Sequence, residues 1–226
     1  MPRKTRISGL RVAAIVPAYN ERERISTVLE ALKRAETVDE IVVVSDGSTD
    51  GTYEFVSCDP AVKAINLEKN RGKGGAMRAG AESTDADVVL FLDADLIGMD
   101  GAKIDALVRP VAENRADMSV GVFKAGRGIT DLAQFLTPYI SGQRAMMREA
   151  FLAIPELGRV RSGVETAITK HFRARRMRVE RVTLPGCTHT MKEEKLGIFK
   201  GFKARLRMYY DISKILLDGR AFKRKK

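Results

Sequence analysis

The chain has no tryptophan and only two cysteines and two histidines. Cys58 and Cys187 are too few and too far apart for a disulfide framework or a cysteine-based zinc site, which suits a reducing compartment. No apolar run approaches the roughly 20 residues of a membrane span. The opening residues, MPRKTRISGLR, lack the apolar core of a signal peptide. A cytoplasmic protein is expected. Aromatic residues make up 6% of the chain, too few to offer a base-stacking surface to nucleic acid. The net charge of +11 would otherwise suggest that partner, but residues 1–11 and 192–226 together carry +12 while residues 12–191 carry −1. Basic ends on a neutral body fit attraction to an anionic surface better than a nucleic-acid cleft.

What the chain does have is a succession of short apolar runs separated by amphipathic stretches. With 226 residues and 44% hydrophobic content, it can build a sizeable core in one large domain or two small ones. Residues 11–16 (RVAAIV) and 41–46 (IVVVSD) read as buried strands, the first ended by Pro17, which cannot donate to a sheet ladder. Residues 64–67 give a third strand and 87–95 (DVVLFLDAD) a fourth. Helices are predicted between them over 21–34, where Ile25, Val28, Leu29 and Leu32 share a face, and over 52–57 and 74–82. Beyond Leu96 the spacing predicts helices over 103–114, 130–140, 143–154 and 164–172, an edge or returning strand over 116–123, and a strand over 177–184. Strands that are continuous apolar runs alternating with helices imply an α/β fold with a mostly parallel sheet covered on both faces. Ligands bind such sheets outside the carboxyl ends of the strands, where Pro17 to Glu21, Asp46 to Gly51 and Asp93 to Asp95 all fall.

Among these segments Asp93-Ala94-Asp95 carries the most chemistry. If the strand continues through it, the two carboxylates project to one side. Together they offer hard oxygen ligands of the kind Mg2+ or Mn2+ takes, usually completed by substrate phosphates and water. An isolated D-x-D can equally be an acidic turn after a buried strand. Lys73, set among glycines in RGKGGA, can reach a phosphate or stand solvated in a turn; the loop is not a Walker A motif, since no Ser or Thr follows the lysine.

Four segments in order, VPAYNE (16–21), VVVSDGSTDGT (42–52), NRGKGGAMRAG (70–80) and DADL (93–96), resemble the nucleotide-sugar-dependent glycosyltransferases of the GT-A fold, in particular family 2. The resemblance implies a GT-A (Rossmann-like) sheet and a uracil-type site. Pro17, Ala18, Tyr19, Asn20 and Glu21 would lie against the base, Asp46 would accept a hydrogen bond from base or ribose, and Lys73, Asp93 and Ala94 would complete the nucleotide-sugar site. The second half, FKAGRGITDLAQFLTPYISGQRAMMREAF, SGVETAIT and CTHTMKEEKLG, is similar to the glucosyl-3-phosphoglycerate synthase type of enzyme and its bacterial relatives. That likeness implies Gly126, Arg127 and Thr130 as acceptor contacts, and Glu165 near the reacting centre. His189 would be a third metal ligand beside Asp93 and Asp95. Arg127 and Thr130 stand one residue further apart than in the family's Gly-Arg-x-Thr. His189 can also be an ordinary loop histidine, and Glu165 a charge favourable to a helix N-terminus.

The expected organisation is a basic extension (1–10), a nucleotide-sugar half (11–96), an acceptor half (97–191) and a basic amphipathic helix and tail (192–226). In that last segment Leu196, Phe199, Phe202 and Leu206 recur at helical spacing among lysines and arginines. Such a helix can lie on an anionic membrane, pack on its own domain or join a homodimer. The implied activity is metal-dependent sugar transfer, with Mn2+ or Mg2+, from a UDP-sugar donor to a small phosphorylated or lipid-linked acceptor. A sugar-nucleotide-binding protein without turnover is the competing reading.

Overall fold

The computed structural model describes residues 7–123, 141–155, 157 and 163–189. The chain divides into two units, Met1–Thr188 and His189–Lys226, and the sheet belongs to the first. Its strands are β1 (Val12–Ala18), β2 (Glu40–Asp46), β3 (Val62–Leu67), β4 (Val88–Phe91), β6 (Met118–Phe123), β7 (Arg144–Met147) and β8 (Val179–Leu184). They lie in the order β3-β2-β1-β4-β7-β6-β8. Two further strands of two residues each are β5 (Leu96–Ile97) and β9 (Thr188–His189). All strands of the large sheet run the same way except β7, which is antiparallel to both β4 and β6. The α/β, mostly parallel architecture expected from the apolar runs is the one found.

The helices are α1 (Ile25–Arg34), α2 (Thr52–Ser57), α3 (Lys73–Glu82), α4 (Gly101–Ala112), α5 (Arg148–Leu152) and α6 (Val164–Ala174). Strand alternation sends Val12, Ala14 and Val16 to one face, where they meet Ile25, Leu29, Ile104 and Leu107 of α1 and α4. Ile15, Val89 and Phe91 point to the other face, against Met77 of α3, Phe151 of α5 and Ile168 and Phe172 of α6. Residues buried on both faces explain why these strands read as unbroken apolar runs. Helix α3 packs so close to β1 that a methyl group at Gly80 would sit 2.5 Å from Ile15 Cγ2. The buried carboxylate of Asp105 on α4 accepts hydrogen bonds from the backbone N–H groups of Glu36 and Thr37 and from the Thr37 hydroxyl. It thereby ties the turn between α1 and β2 to α4 and satisfies backbone donors that burial would otherwise strand. Among the described residues no helix is long and apolar enough to cross a membrane.

Four expectations need correction. Residues 143–154 are not one helix: Arg144–Met147 is strand β7, and only Arg148–Leu152 is helical. Alanine and methionine favour helix intrinsically, but pairing on both sides with β4 and β6 overrides that weak preference. Strand β6 is internal, between β7 and β8, so β3 and β8 are the edges, and β8 shows the alternating exposure of an edge. Pro17 does not end β1, which continues to Ala18 and pairs Pro17 with Val44. The Ile15 carbonyl accepts from Leu92 N–H, so Pro17, two residues on, turns its nitrogen to that same side, beyond the last β1–β4 pair, Ile15↔Phe91. No donor is needed there. Finally, α1 starts at Ile25 rather than at residue 21; the Glu21 carbonyl instead closes a tight turn by accepting from Arg24 and Ile25 N–H.

Candidate active site

The reversed direction of β7 assembles the site. Strands β1, β2 and β4 end at one edge of the sheet, and β7 begins at that edge, with Arg144 paired opposite Phe91. The residues leading into β7, Ser141 to Gln143, therefore lie beside the residues leaving β4, Leu92 to Asp95. The D-x-D segment is a turn and not a continuation of the strand, since β4 stops at Phe91 and the chain turns through Ala94 and Asp95 into β5. Strand pleat consequently does not set the two carboxylates. What fixes Asp93 is its partners: Oδ1 lies 2.5 Å from the Lys73 ammonium, and Oδ2 accepts a hydrogen bond from Gln143 Nε2 at 2.9 Å. Asp95 is half-buried on the same turn.

Lys73 is the first residue of α3 and reaches across to a second acid, with Nζ 2.6 Å from Glu165 Oε1. Glu165 stands in the first turn of α6. Burial alone would depress the Lys73 pKa, but the charges of Asp93 and Glu165 outweigh it and hold the ammonium above its ordinary value. The backbone of Gly142 presses against this pair. A Cβ there would lie 2.6 Å from Asp93 Oδ1 and 2.7 Å from Lys73 Nζ, and closer still to Oδ2, so any larger residue would have to displace the ion pair.

Beneath the triad lies Arg144, wholly buried. Its Nη1 donates to the Glu165 carbonyl at 3.3 Å and to Thr169 Oγ1 at 3.4 Å, and Nη2 donates to the Ser141 carbonyl. The guanidinium thus joins the start of α6 to the chain entering β7. Burial pushes its pKa down to about 10, with Glu165 and Asp93 opposing the shift, so it stays charged at neutral pH. Gln143 is held in turn by Ser141, whose hydroxyl lies 2.6 Å from the Gly121 carbonyl and 3.0 Å from Gln143 Oε1. Neither Gln143 nor Arg144 was picked out from the sequence. The available signal was the SGQRA stretch itself, polar residues where a sheet interior would be apolar.

On the other side of the same edge, the loops after β1 and β2 are laced together. Asn20, at φ 57°, donates its N–H to Ser48 Oγ at 3.2 Å and accepts from Thr49 N–H at 2.9 Å, while Glu21 N–H donates to Thr52 Oγ1 at 3.0 Å. Tyr19 is 51% exposed above them, and Pro17 and Ala18 end β1 below. Asp46 is buried at the end of β2, and its Oδ1 accepts from Arg71 N–H at 2.7 Å. That bond anchors the loop from which α3 and Lys73 emerge. Among the described residues no cluster of three His, Cys, Asp or Glu could hold a metal by itself. The His189 side chain lies outside the described residues, as do Gly126, Arg127 and Thr130 and the basic segment 192–226.

Residues 13–192 match the sequence profile of glycosyl transferase family 2. The chain belongs to that family. It is 40% identical over 102 residues to the dolichyl-phosphate beta-glucosyltransferase of Drosophila melanogaster, covering 38% of this chain and 31% of that protein. It is 34% identical over 126 residues to the undecaprenyl-phosphate 4-deoxy-4-formamido-L-arabinose transferase of Serratia proteamaculans, covering 52% of this chain and 38% of the relative. The match therefore spans well under half the length of either curated relative. In three dimensions the chain is similar to the Mycobacterium tuberculosis glucosyl-3-phosphoglycerate synthase crystallised with Mn2+, UDP and phosphoglyceric acid. The TM-score is 0.66 at 24% identity over 81% of this chain and 72% of that one. The same enzyme with Mg2+ and UDP gives 0.64 at 23% identity, over 81% and 72%. These likenesses establish the GT-A fold.

Proposed function

We propose that this family 2 chain transfers a sugar from a UDP-sugar to an acceptor hydroxyl or phosphate, with help from a divalent metal. The observation that carries the reading is the convergence of Lys73, Asp93, Gln143 and Glu165 at the carboxyl edge of the sheet, next to Asp95. An ion-paired cluster of this kind at a strand-end crevice is where an α/β sheet binds its ligand.

In this reading the laced loops after β1 and β2, with the exposed ring of Tyr19, receive the base and ribose. Lys73 places a positive charge for the diphosphate, and Gln143 keeps Asp93 oriented. Glu165, across Lys73 from Asp93, offers a carboxylate to an acceptor hydroxyl, to orient it or to take its proton. Arg144 holds the first turn of α6, and with it Glu165, against the chain entering β7. Two half-buried carboxylates on a short turn suit a hard divalent cation whose remaining ligands come from the substrate and water, so Asp93 and Asp95 would hold Mn2+ or Mg2+. When bound, the ion supplies charge compensation for the departing nucleoside diphosphate. The acceptor is proposed to carry phosphate. Curated relatives are named for lipid phosphates and a solved neighbour binds phosphoglyceric acid.

The test is a thermal-shift screen of nucleotide-sugars with Mn2+, because only ligands of the native state raise its stability. A UDP-sugar should raise Tm in a metal-dependent way, and the responding sugar should be consumed in a hydrolysis or transfer assay. A shift with no consumption of any donor would favour the binding protein without turnover. No shift with any nucleotide-sugar would overturn the reading.

Asp46 gives a second check. Its carboxylate fixes the loop that launches Lys73, and in this reading it also faces the base. Asp46→Ala should weaken UDP binding by about 1–3 kcal/mol, the cost of leaving hydrogen-bonding groups without partners. Calorimetry reads this directly, and unchanged affinity would remove Asp46 from the nucleotide site.

A further inference from the structure

Resting on the assignment of Asp93 and Asp95 above, we infer that Lys73 competes with the divalent cation for Asp93, and that the nucleotide's diphosphate relieves this competition by drawing the ammonium away. The Lys73 ammonium stands 2.5 Å from Asp93 Oδ1, while Gln143 Nε2 takes Oδ2 at 2.9 Å. A hard cation must displace a proton donor from either oxygen. It must also enter against a unit positive charge at contact distance, which repels it even in a partly hydrated site.

The local architecture makes the ammonium hard to displace on one side and movable on the other. The Gly142 backbone closes one side of the pair, with no room even for a methyl group. On the other side the Lys73 side chain keeps 28% of its surface exposed, and it is a flexible four-carbon stem rooted in the first residue of α3. A diphosphate carries more negative charge than one carboxylate and accepts from ammonium through several oxygens. Its arrival gives Lys73 a better partner and returns Asp93 Oδ1 to the metal. Nucleotide and metal then load cooperatively, each raising the affinity of the other by the same factor. Placed between them, the lysine also spares Asp93 and Glu165 from facing each other as uncompensated like charges.

The experiment measures Mn2+ binding to the full chain from the spin-resonance signal of free Mn2+, without and with UDP. It compares wild type, Lys73→Met, and Lys63→Met as a control for loss of a lysine remote from the site, after thermal unfolding shows all three folded. Wild type should bind Mn2+ weakly alone and more tightly with UDP. Lys73→Met should bind Mn2+ alone about tenfold more tightly than wild type, since a repelling unit charge at contact distance is gone, and UDP should add less to it. Lys63→Met should follow wild type. If Lys73→Met binds Mn2+ no more tightly than wild type while UDP still promotes wild-type binding, the competition is refuted and the metal assignment stands. If no form binds Mn2+ even with UDP, the metal assignment fails, and the competition with it.

Discussion

Asp95→Ala should lower turnover of a UDP-sugar by about 10²–10³-fold, the scale seen when one preorganised group is removed from charge that develops in a transition state. The residue sits half-buried on the turn between β4 and β5. The neighbouring turn position Ala94 and β5 residue Leu96 supply the buried apolar anchors there, so the fold should survive and Tm should move by a few degrees at most. Asp93→Ala is a different experiment. Asp93 also restrains Lys73 and Gln143, and its loss leaves Glu165 alone with the lysine. Both variants should lose activity, but only Asp93→Ala should also disturb the entry to β7, visible as faster hydrogen exchange around residues 141–144. Steady-state turnover with Mn2+ titrated over a wide range separates the cases. Near-normal turnover of Asp95→Ala at ordinary metal concentration would remove the D-x-D turn from the chemistry.

Much of the frame was legible because burial on both faces leaves a plain trace. Residues such as Val42 to Val44 and Val88 to Phe91 can sit only where helices cover both sides of a sheet. The strand β7 left no such trace. Its four residues, Arg-Ala-Met-Met, carry a charge and three good helix formers, and only the neighbouring strands on either side make them extended. With β7 misread as helix, its antiparallel direction was invisible, and with it the reason that Gln143 meets Asp93 from 50 residues away. Lys73, Asp93 and Glu165 could each be singled out by residue type and setting. Their union is a contact between Lys73 and a residue 92 positions later, which local spacing cannot report. Arg144 was missed for a related reason. A guanidinium in a sheet interior is tolerated only if acceptor oxygens converge on it, and the convergence of the Ser141 and Glu165 carbonyls and the Thr169 hydroxyl exists only after folding.

Gly142→Ala tests how tightly the cluster is built. The added methyl would lie 2.6 Å from Asp93 Oδ1 and 2.7 Å from Lys73 Nζ, nearer still to Oδ2, and real Cβ atoms do not approach heavy atoms so closely. Either the Asp93 carboxylate or the Ser141–Gln143 backbone must therefore move. The backbone is pinned on both sides: Gly121 N–H donates to the Gln143 carbonyl at 2.8 Å, and Arg144 holds the Ser141 carbonyl. The side-chain pair should yield first, since Lys73 is long and partly exposed. Displacing the carboxylate by about 1 Å moves a positioned group by a distance that typically costs 10²-fold in rate, so turnover should fall by about that factor. Stability should change little, by about 1 kcal/mol or less, because the strain is relieved at a partly exposed ion pair and not in the apolar core. A matched loss in kcat/KM and kcat at unchanged UDP affinity would place the damage at the reacting centre. A Gly142→Ala protein with full activity would show that the Lys73–Asp93 pair can stand elsewhere without consequence, and that its close contact with the Gly142 backbone is not needed for transfer.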